Sequence, residues 1–257
     1  MAREITKEDV IAHKKKAIKT IDKMFETFIN NPKYLKKADL IAYWLESYSS
    51  YVRNEEKFEY ARLPKYERGN VISLNLGFNV GSEQGGLHYA IVLDNYNRLA
   101  SRVVTIIPLS SGTSEDTFER DVFLGNELYE KLNSKYEKNS NIIEQELAEK
   151  TKILELLKKT IAENIQEQNE ELQSCINEME KNVDYLLEKK KELINYNKNI
   201  QNLKMGSIAL TGQITTVSKM RIYRPKSSND LLYGLKFSDG AMDKINERLK
   251  ELYIFSK

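Results

Sequence analysis

The residues best suited to chemistry lie in the segment GSEQGGLHYAIVLDN, residues 81–95. Three of the chain's 11 glycines fall within six positions there, and one of its two histidines, His88, follows almost at once. Glycine permits positive φ angles and lets another backbone or a ligand approach closely. Histidine titrates near neutral pH, so it can accept and donate a proton within one reaction cycle. The segment predicts a binding loop that leads into a strand; a plain hairpin turn is the alternative.

These glycines do not form a phosphate-binding loop of the GxxxxGK[ST] type. Gly81 and Gly86 have the required spacing, but Leu87 stands at the lysine position, and the apolar run that follows predicts a strand instead of a helix. The only other histidine, His13, is far away in sequence, and Cys175 is the single cysteine. We therefore expect no metal site, no cofactor and no intrachain disulfide.

Helices are predicted before this loop, and strands around it. Apolar residues recur at helical spacing over residues 7–29, stop at Asn31 and Pro32, and resume over residues 34–52. Segments rich in Val, Ile and Leu between turn residues predict three strands and a weaker fourth: RGNVISLNLGF, HYAIVLDN, RVVTIIPLSS and TFERDVFL.

A long helical insertion is predicted next. Residues 126–204 contain neither glycine nor proline, and their apolar residues step by three, four or seven with charged flanks, which is typical of a coiled coil. The sequence around it returns to strands in MGSIALTGQITTV and YGLKFS and ends in a helix, DGAMDKINERLKELYIF. Because strands lie on both sides, we expect the insertion to fold back as an antiparallel hairpin that bends near residues 164–171.

The predicted fold class is therefore α+β, in four regions. They are a helical extension (1–60), the first part of a small β-domain (61–125), the coiled-coil insertion (126–204), and the second part of the β-domain with the last helix (205–257). A net charge of +2 neither indicates nor excludes a nucleic-acid partner. Without an apolar stretch of about 18 residues or a signal-peptide pattern, we expect a cytoplasmic protein that does not span a membrane.

Three segments resemble motifs of the MazF/PemK family of toxin endoribonucleases. RGNVISLNLGFNVGSEQGGLHYAIVLDN resembles the opening strand, the long hairpin loop with its G-S-E-x-G-G-x-R-P motif, and the second strand. TIIPLSS resembles the third strand, which ends in a catalytic Thr or Ser in the family. GQITTVSKMRI resembles the late Q-I-R-T-I-D-K-x-R-L element. The N-terminal helices and the insertion have no counterpart in a minimal family member.

The resemblance implies an SH3-like β-barrel, usually dimeric, that cleaves single-stranded RNA without a metal. The RNA's own 2′-hydroxyl attacks, leaving a 2′,3′-cyclic phosphate and a 5′-hydroxyl. His88 stands at the position of the family's arginine, Ser110 at that of its Thr or Ser, and Tyr89 at that of its proline. The catalytic candidates are His88, Ser110 and Ser111. The candidates for RNA binding are Arg68, Glu83, Gln84, Gly85, Gly86, Gln213, Thr216, Lys219 and Arg221.

The change from arginine to histidine alters what this position can do. Arginine is always protonated and binds phosphate with two parallel hydrogen bonds, but it is a poor proton carrier. Histidine gives up that bidentate contact and gains acid–base chemistry. The alternative without a catalytic role is that His88 is a solvent-facing residue at the start of a strand, and that Ser110 and Ser111 are ordinary turn serines.

Two functions of different classes follow. The first is a toxin that cleaves mRNA and is neutralised by a cognate antitoxin, with a homodimer as the expected assembly. The second is an inactive SH3-like scaffold whose coiled coil mediates dimerisation or captures a partner, which the missing arginine favours. The hairpin either closes on itself, which we favour because its ends belong to one domain, or pairs with the hairpin of a second subunit.

Overall fold

The structure, a computed structural model, describes residues 4–163 and 170–254, and over these it has an α+β fold. The helices are α1 (Lys7–Ile29), α2 (Leu35–Asn54), α3 (Glu127–Glu163), α4 (Glu170–Gln201) and α5 (Asp239–Tyr253). The strands are β1 (Val71–Asn75), β2 (Leu87–Val92), β3 (Val103–Ser111), β4 (Val122–Phe123), β5 (Ser207–Ala209), β6 (Thr215–Ser218) and β7 (Ile222–Arg224). The predicted fold class is confirmed; closure of the sheet into an SH3-like barrel stays a prediction.

Side-chain caps fix where the predicted helices begin. Thr6 and Asp9 form a reciprocal capping box at the start of α1, which satisfies amide groups that have no partner within the helix. Asn31 accepts a hydrogen bond from the Lys33 amide and starts the short turn before α2. Ser238 caps α5 by accepting from the Ala241 amide. Two helices joined by a short turn are thus confirmed at the N-terminal end of the chain.

Glu127, in the first turn of α3, ties that helix to the start of α5. Its carboxylate accepts hydrogen bonds from the Lys131 ammonium at 2.6 Å, and from the Ser238 amide and hydroxyl at 2.5 and 2.8 Å. Burial alone would raise the pKa of Glu127, but these hydrogen bonds outweigh it and hold the pKa below its usual value.

All seven strands belong to one sheet with the order β4-β5-β3-β2-β1-β7, and β6 also pairs with β3. β3 is the central element, because antiparallel neighbours flank it along its whole length: β2 pairs near its middle, β6 with its first half and β5 with its end. The predicted strand in YGLKFS is wrong: Gly234 turns the chain at a φ of +67°, and only Lys236 forms an isolated bridge, to Asn70.

The insertion is an antiparallel helical hairpin within one chain. Ion pairs join Lys158 to Glu180 and Lys190 to Glu144, so positions later in α3 face positions earlier in α4. The predicted apolar stripe of α4 faces inward, with Ile176, Leu186 and Ile200 buried. Of the predicted bend, residues 164–169 and the stripe position Ile165 lie outside the described residues, whereas residues 170 and 171 already belong to α4.

The base of the hairpin is built into the sheet. The Leu124 amide donates to the Ser207 carbonyl, and the Ser207 amide donates to the Gly125 carbonyl, both at 2.9 Å, so the two ends of the insertion are joined by backbone hydrogen bonds. Leu128, Leu132 and Ile200 pack with residues of β2 and β3 in one apolar core, which also receives the buried face of α5. Burial of such side chains supplies most of the stabilisation of a domain this size.

The chain forms two compact units. One comprises residues 1–58 and 75–87, and the other comprises residues 59–74 and 88–257. The glycine-rich segment thus packs with the N-terminal helices, while His88 and both candidate serines belong to the sheet unit. Among the helices over residues 4–163 and 170–254, none is long and apolar enough to cross a membrane.

Candidate active site at the end of strand β3

The recorded pairing of β2 with β3, when it is extended by two residues, sets His88 opposite Ser110. β2 and β3 are antiparallel, and their last recorded pair is Ala90 with Pro108. Continuing that register by two residues sets His88 opposite Ser110. Residues directly opposite each other in an antiparallel pair project on the same face. Both side chains are half-buried, so each is partly open to solvent while its strand holds it in position.

Ser111 is placed differently from Ser110, although the two are adjacent in sequence. Successive side chains of a strand point to opposite faces, so Ser111 projects away from the face that carries Ser110 and His88. Ser111 is exposed and pairs with Ser207 of β5. Of the two serines predicted to be catalytic, the register therefore brings only Ser110 to the face of the histidine.

The glycine-rich loop is held by its own backbone and by helix α2. Gly77 has a φ of +85°, and a Cβ atom there would lie 2.8 Å from the Trp44 ring; a Cβ atom at Gly85 would lie 2.8 Å from the Gly77 carbonyl oxygen. The Gly86 amide donates to that same carbonyl at 2.7 Å. Close approach of a ring or a backbone therefore requires glycine at Gly77 and Gly85. At Gly81 and Gly86 the reason is the positive φ angle, +65° and +84°.

The polar loop residues also bond locally. The Glu83 carboxylate accepts a hydrogen bond from the Val80 amide at 3.2 Å, and the Gln84 carbonyl accepts one from the Asn79 side chain at 2.7 Å. Glu83 itself is exposed, and Gln84 is half-buried. These bonds shape the loop.

Thr216 of the late motif lies far along β3 from Ser110. Thr216 pairs with Thr105, and their hydroxyl oxygens are 3.1 Å apart. Thr105 precedes Ser110 by five positions, which corresponds to about 17 Å of strand, and the odd number puts it on the opposite face. Gln213 lies in the turn between β5 and β6, and Arg221 just before β7; both are half-exposed. The pairing of Thr216 with Thr105 thus places that residue away from Ser110.

Two of the predicted RNA-binding cations hold the fold together. Lys219 is buried, and its ammonium donates to the Arg98 carbonyl at 2.9 Å and lies 5.7 Å from the centre of the Tyr66 ring. Burial lowers the pKa of Lys219. The Arg68 guanidinium donates to the Leu93 carbonyl and to the Asn246 side chain. Sequence reasoning treated both as surface cations, because nothing in a sequence marks a buried, bonded lysine or arginine.

A polar cluster behind the site was not predicted. Tyr89 projects on the face opposite to His88, and its hydroxyl lies 3.4 Å from that of Tyr196 in α4. The Arg224 guanidinium lies 5.0 Å from the centre of the Tyr196 ring and 3.6 Å from the Asp230 carboxylate. Burial raises the pKa of both tyrosines. The alternation of a strand could have revealed that Tyr89 and His88 point in opposite directions; its pairing with α4 could not be predicted.

Comparison with known proteins gives a family for this arrangement. Residues 67–179 match the family described as the PemK-like, MazF-like toxin of type II toxin-antitoxin systems. This segment is similar to the PemK-like, MazF-like toxins. The resemblance seen in the sequence motifs is thereby confirmed, and the N-terminal helices fall outside the match. No curated protein matches the chain.

The match to the PemK-like domain covers β1 to β4, helix α3 and the first part of α4. The late motif lies beyond it, yet β5 and β6 both pair with β3, so this segment belongs to the same sheet. Among residues 4–163 and 170–254, no group of three or more His, Cys, Asp or Glu side chains could hold a metal ion.

Proposed function

We propose that this protein is the toxin of a toxin-antitoxin system and a metal-independent endoribonuclease that cleaves single-stranded RNA. The products would be a 2′,3′-cyclic phosphate and a 5′-hydroxyl. Similarity to the PemK-like, MazF-like family supports the toxin assignment, and members of that family are typically ribonucleases. The observation that supports the proposal for this chain is the β2–β3 register, recorded as far as Ala90 with Pro108. Extended by two residues, this register sets His88 opposite Ser110, and these are the two positions matched to the family's catalytic pair.

The reaction needs one group that moves a proton and another that stabilises charge on the phosphate. The His88 imidazole accepts the proton of the 2′-hydroxyl while the 2′-oxygen attacks phosphorus. The bond from phosphorus to the 5′-oxygen then breaks, and the imidazolium returns the proton to that oxygen. The Ser110 hydroxyl donates a hydrogen bond to a non-bridging phosphoryl oxygen as its negative charge grows. Each proton and bond is thus accounted for without a metal ion.

The proposed RNA contacts fall into two groups. Glu83, Gln84, Gly85 and Gly86 form one group, in the loop that precedes His88 in sequence. Gln213, Thr216 and Arg221 form the second group, which would contact nucleotides farther along the RNA. We leave Arg68 and Lys219 out of this set because their cationic groups are engaged by carbonyl and amide oxygens within the fold.

The chemical nature of the RNA ends is the direct test. Purified protein is incubated with single-stranded RNA in the presence of EDTA, and the new ends are analysed. We expect cyclic phosphates from the wild type and a loss of about 10²–10⁴-fold in rate for His88→Ala, the usual contribution of acid–base catalysis. His13→Ala is the matched control, because His13 is the only other histidine and is exposed on α1.

A second pair of variants tests the role of the register. Ser110→Ala should slow cleavage by about 10²-fold, which is the typical cost of one donor to a developing oxyanion. Ser111→Ala should cost much less, since its hydroxyl projects on the other face. If the two variants slow cleavage equally, the placement of His88 and Ser110 on one face of the sheet is contradicted. The same variants can be induced in cells, where growth arrest should follow the cleavage activity.

The scaffold remains the second candidate, favoured by the absence of the family's arginine from its motif position. It would require that the wild type and His88→Ala are equally harmless and that a broad panel of RNAs stays intact. The remaining parts of the proposal are a cognate antitoxin as partner, a homodimer, a cytoplasmic location, an SH3-like closure of the sheet, and the four-region domain division stated above.

A further inference from the structure

One face of helix α2 carries three aromatic side chains, Trp44, Tyr48 and Tyr51, which we call the aromatic face. The spacing of four and three residues puts them on the same side of the helix. The Trp44 ring centre lies 5.8 Å from that of Tyr48 and 6.3 Å from that of Tyr51, with the ring planes tilted. Tyr48 is 54% exposed, and the other two are half-buried. A row of rings is therefore open to solvent along one side.

The aromatic face adjoins the glycine-rich loop within the same compact unit. The Trp44 ring lies against the Gly77 backbone, as the 2.8 Å approach to a Cβ atom at that position shows. Phe78, the next residue of the loop, lies near Lys37, whose ammonium is 5.9 Å from the centre of the Phe78 ring. The proposed nuclease binds RNA through residues 83–86 of this loop, so the rings stand beside part of its RNA contact surface.

Cations accompany these rings. Lys37 precedes Trp44 by two helical turns on the same side, and its ammonium also lies 5.3 Å from the centre of the Phe28 ring. Lys33 lies over the Tyr34 ring at 5.4 Å. Proteins that hold single strands combine positive charge for the backbone with aromatic rings on which bases stack. A groove for a partner helix is hydrophobic and does not require these cations, although α2 also exposes Leu40 and Val52.

We propose that the aromatic face is a base-stacking subsite for single-stranded RNA, with Tyr48 as its exposed platform and Lys37 as a phosphate contact. This inference rests on the proposed nuclease function and deepens it, because it assigns the N-terminal helices a share of substrate binding. Bases that leave the glycine-rich loop would stack on Tyr48 and at the edge of Trp44. Stacking tolerates any base, so the subsite would raise affinity more than it would select a sequence.

Binding can be measured without cleavage in the full-length His88→Ala protein, by fluorescence anisotropy of a labelled single-stranded 12-nucleotide oligouridylate. We expect Tyr48→Ala to raise the dissociation constant at least fivefold. Tyr43→Ala is the matched control: Tyr43 is a 65% exposed tyrosine on the same helix, and five residues of helix turn it about 140° away. It should change the constant less than twofold. Tyr48→Phe keeps the ring and should bind like its parent.

Tyr48→Leu separates stacking from apolar contact, because it retains apolar area without a π face. Base stacking predicts that Tyr48→Leu binds as weakly as Tyr48→Ala. If leucine restores affinity, or if Tyr48→Ala binds as tightly as Tyr43→Ala, the subsite is refuted, and the face is left for a protein partner. If the parent protein does not bind the RNA at all, the nuclease proposal itself fails. Thermal unfolding of each variant shows whether a loss of RNA affinity comes from a less stable fold. If Tyr48→Ala is destabilised, the affinities of Tyr48→Phe and Tyr48→Leu decide whether Tyr48 stacks on bases.

Discussion

The contact between Gly77 and Trp44 can be tested by adding one methyl group. Gly77→Ala meets two obstacles. The φ of +85° is unfavourable for any residue with a Cβ atom, at a cost of about 1–2 kcal/mol. The new carbon would also lie 2.8–2.9 Å from three carbons of the Trp44 ring, where about 3.5–4.0 Å is comfortable. Overpacking of this kind costs about 1–3 kcal/mol. We therefore expect the free energy of unfolding to fall by about 2–5 kcal/mol.

Gly86→Ala isolates the first of these costs. Gly86 has nearly the same φ, +84°, but nothing lies within 4 Å of a Cβ atom there. It should lose only the backbone contribution of about 1–2 kcal/mol. Trp44 is the single tryptophan of the chain, so its fluorescence reports unfolding of the unit that contains it. Urea titrations of the wild type and the two variants give the comparison directly.

A double-mutant cycle then assigns the difference to the ring. In a Trp44→Ala background the steric obstacle is gone, so Gly77→Ala should cost no more than Gly86→Ala does. These proteins lack tryptophan, and their unfolding is followed by far-ultraviolet circular dichroism. If Gly77→Ala costs the same with and without Trp44, or no more than Gly86→Ala in the wild type, the packing of α2 on the loop is refuted.

Three further predictions concern the sheet unit. The pKa of Glu127 is lowered in the folded state, so the ionised carboxylate stabilises the fold above its ordinary pKa, and this stabilisation is lost as pH falls. Glu127→Gln should therefore lower the free energy of unfolding by about 1–2 kcal/mol at pH 7. The difference between the wild type and the variant should disappear below about pH 4 in urea titrations. Burial lowers the pKa of Lys219, so the free energy of unfolding of the wild type should rise relative to that of Lys219→Met as pH rises towards about 10. The RNA affinity of Lys219→Met should equal that of the wild type. Replacing residues 145–189 by a short turn should leave the sheet folded by circular dichroism, whereas deleting residues 127–204 should unfold it, because Leu132 and its neighbours leave the core.

Periodicity was sufficient for the long elements. The steps between apolar residues identified both N-terminal helices, both arms of the hairpin and α5, because each helix carries an apolar stripe. That stripe has buried members in α2, α4 and α5, whereas no residue of α1 is buried. The short edge strand β7 (Ile222–Arg224) was missed, since three residues carry no periodic signal. The prediction of a strand in YGLKFS was wrong for a related reason. Its apolar residues, such as Leu235, are buried because a turn, not a strand, packs them into the core.

The candidate site was only partly predictable, because proximity across a sheet depends on register. The motifs supplied His88 and Ser110 as a pair, but the separate directions of Ser110 and Ser111 follow from how β2 aligns with β3. The distance of Thr216 from Ser110 depends in the same way on the pairing of β6 with β3. The contact of Tyr89 with Tyr196 joins residues far apart in sequence, and no local pattern encodes it.

The two backbone hydrogen bonds that join residues 124–125 to Ser207 have a consequence for the history of the molecule. Seen from the sheet, the insertion is an ordinary connection between two neighbouring antiparallel strands. Doubling the length of such a connection costs only about 0.6 kcal/mol in closure entropy. The helical arms can therefore lengthen, shorten or be exchanged for another paired structure while the strands keep their alignment. The connection between β4 and β5 is therefore a position at which evolution, or a protein engineer, can insert a different domain.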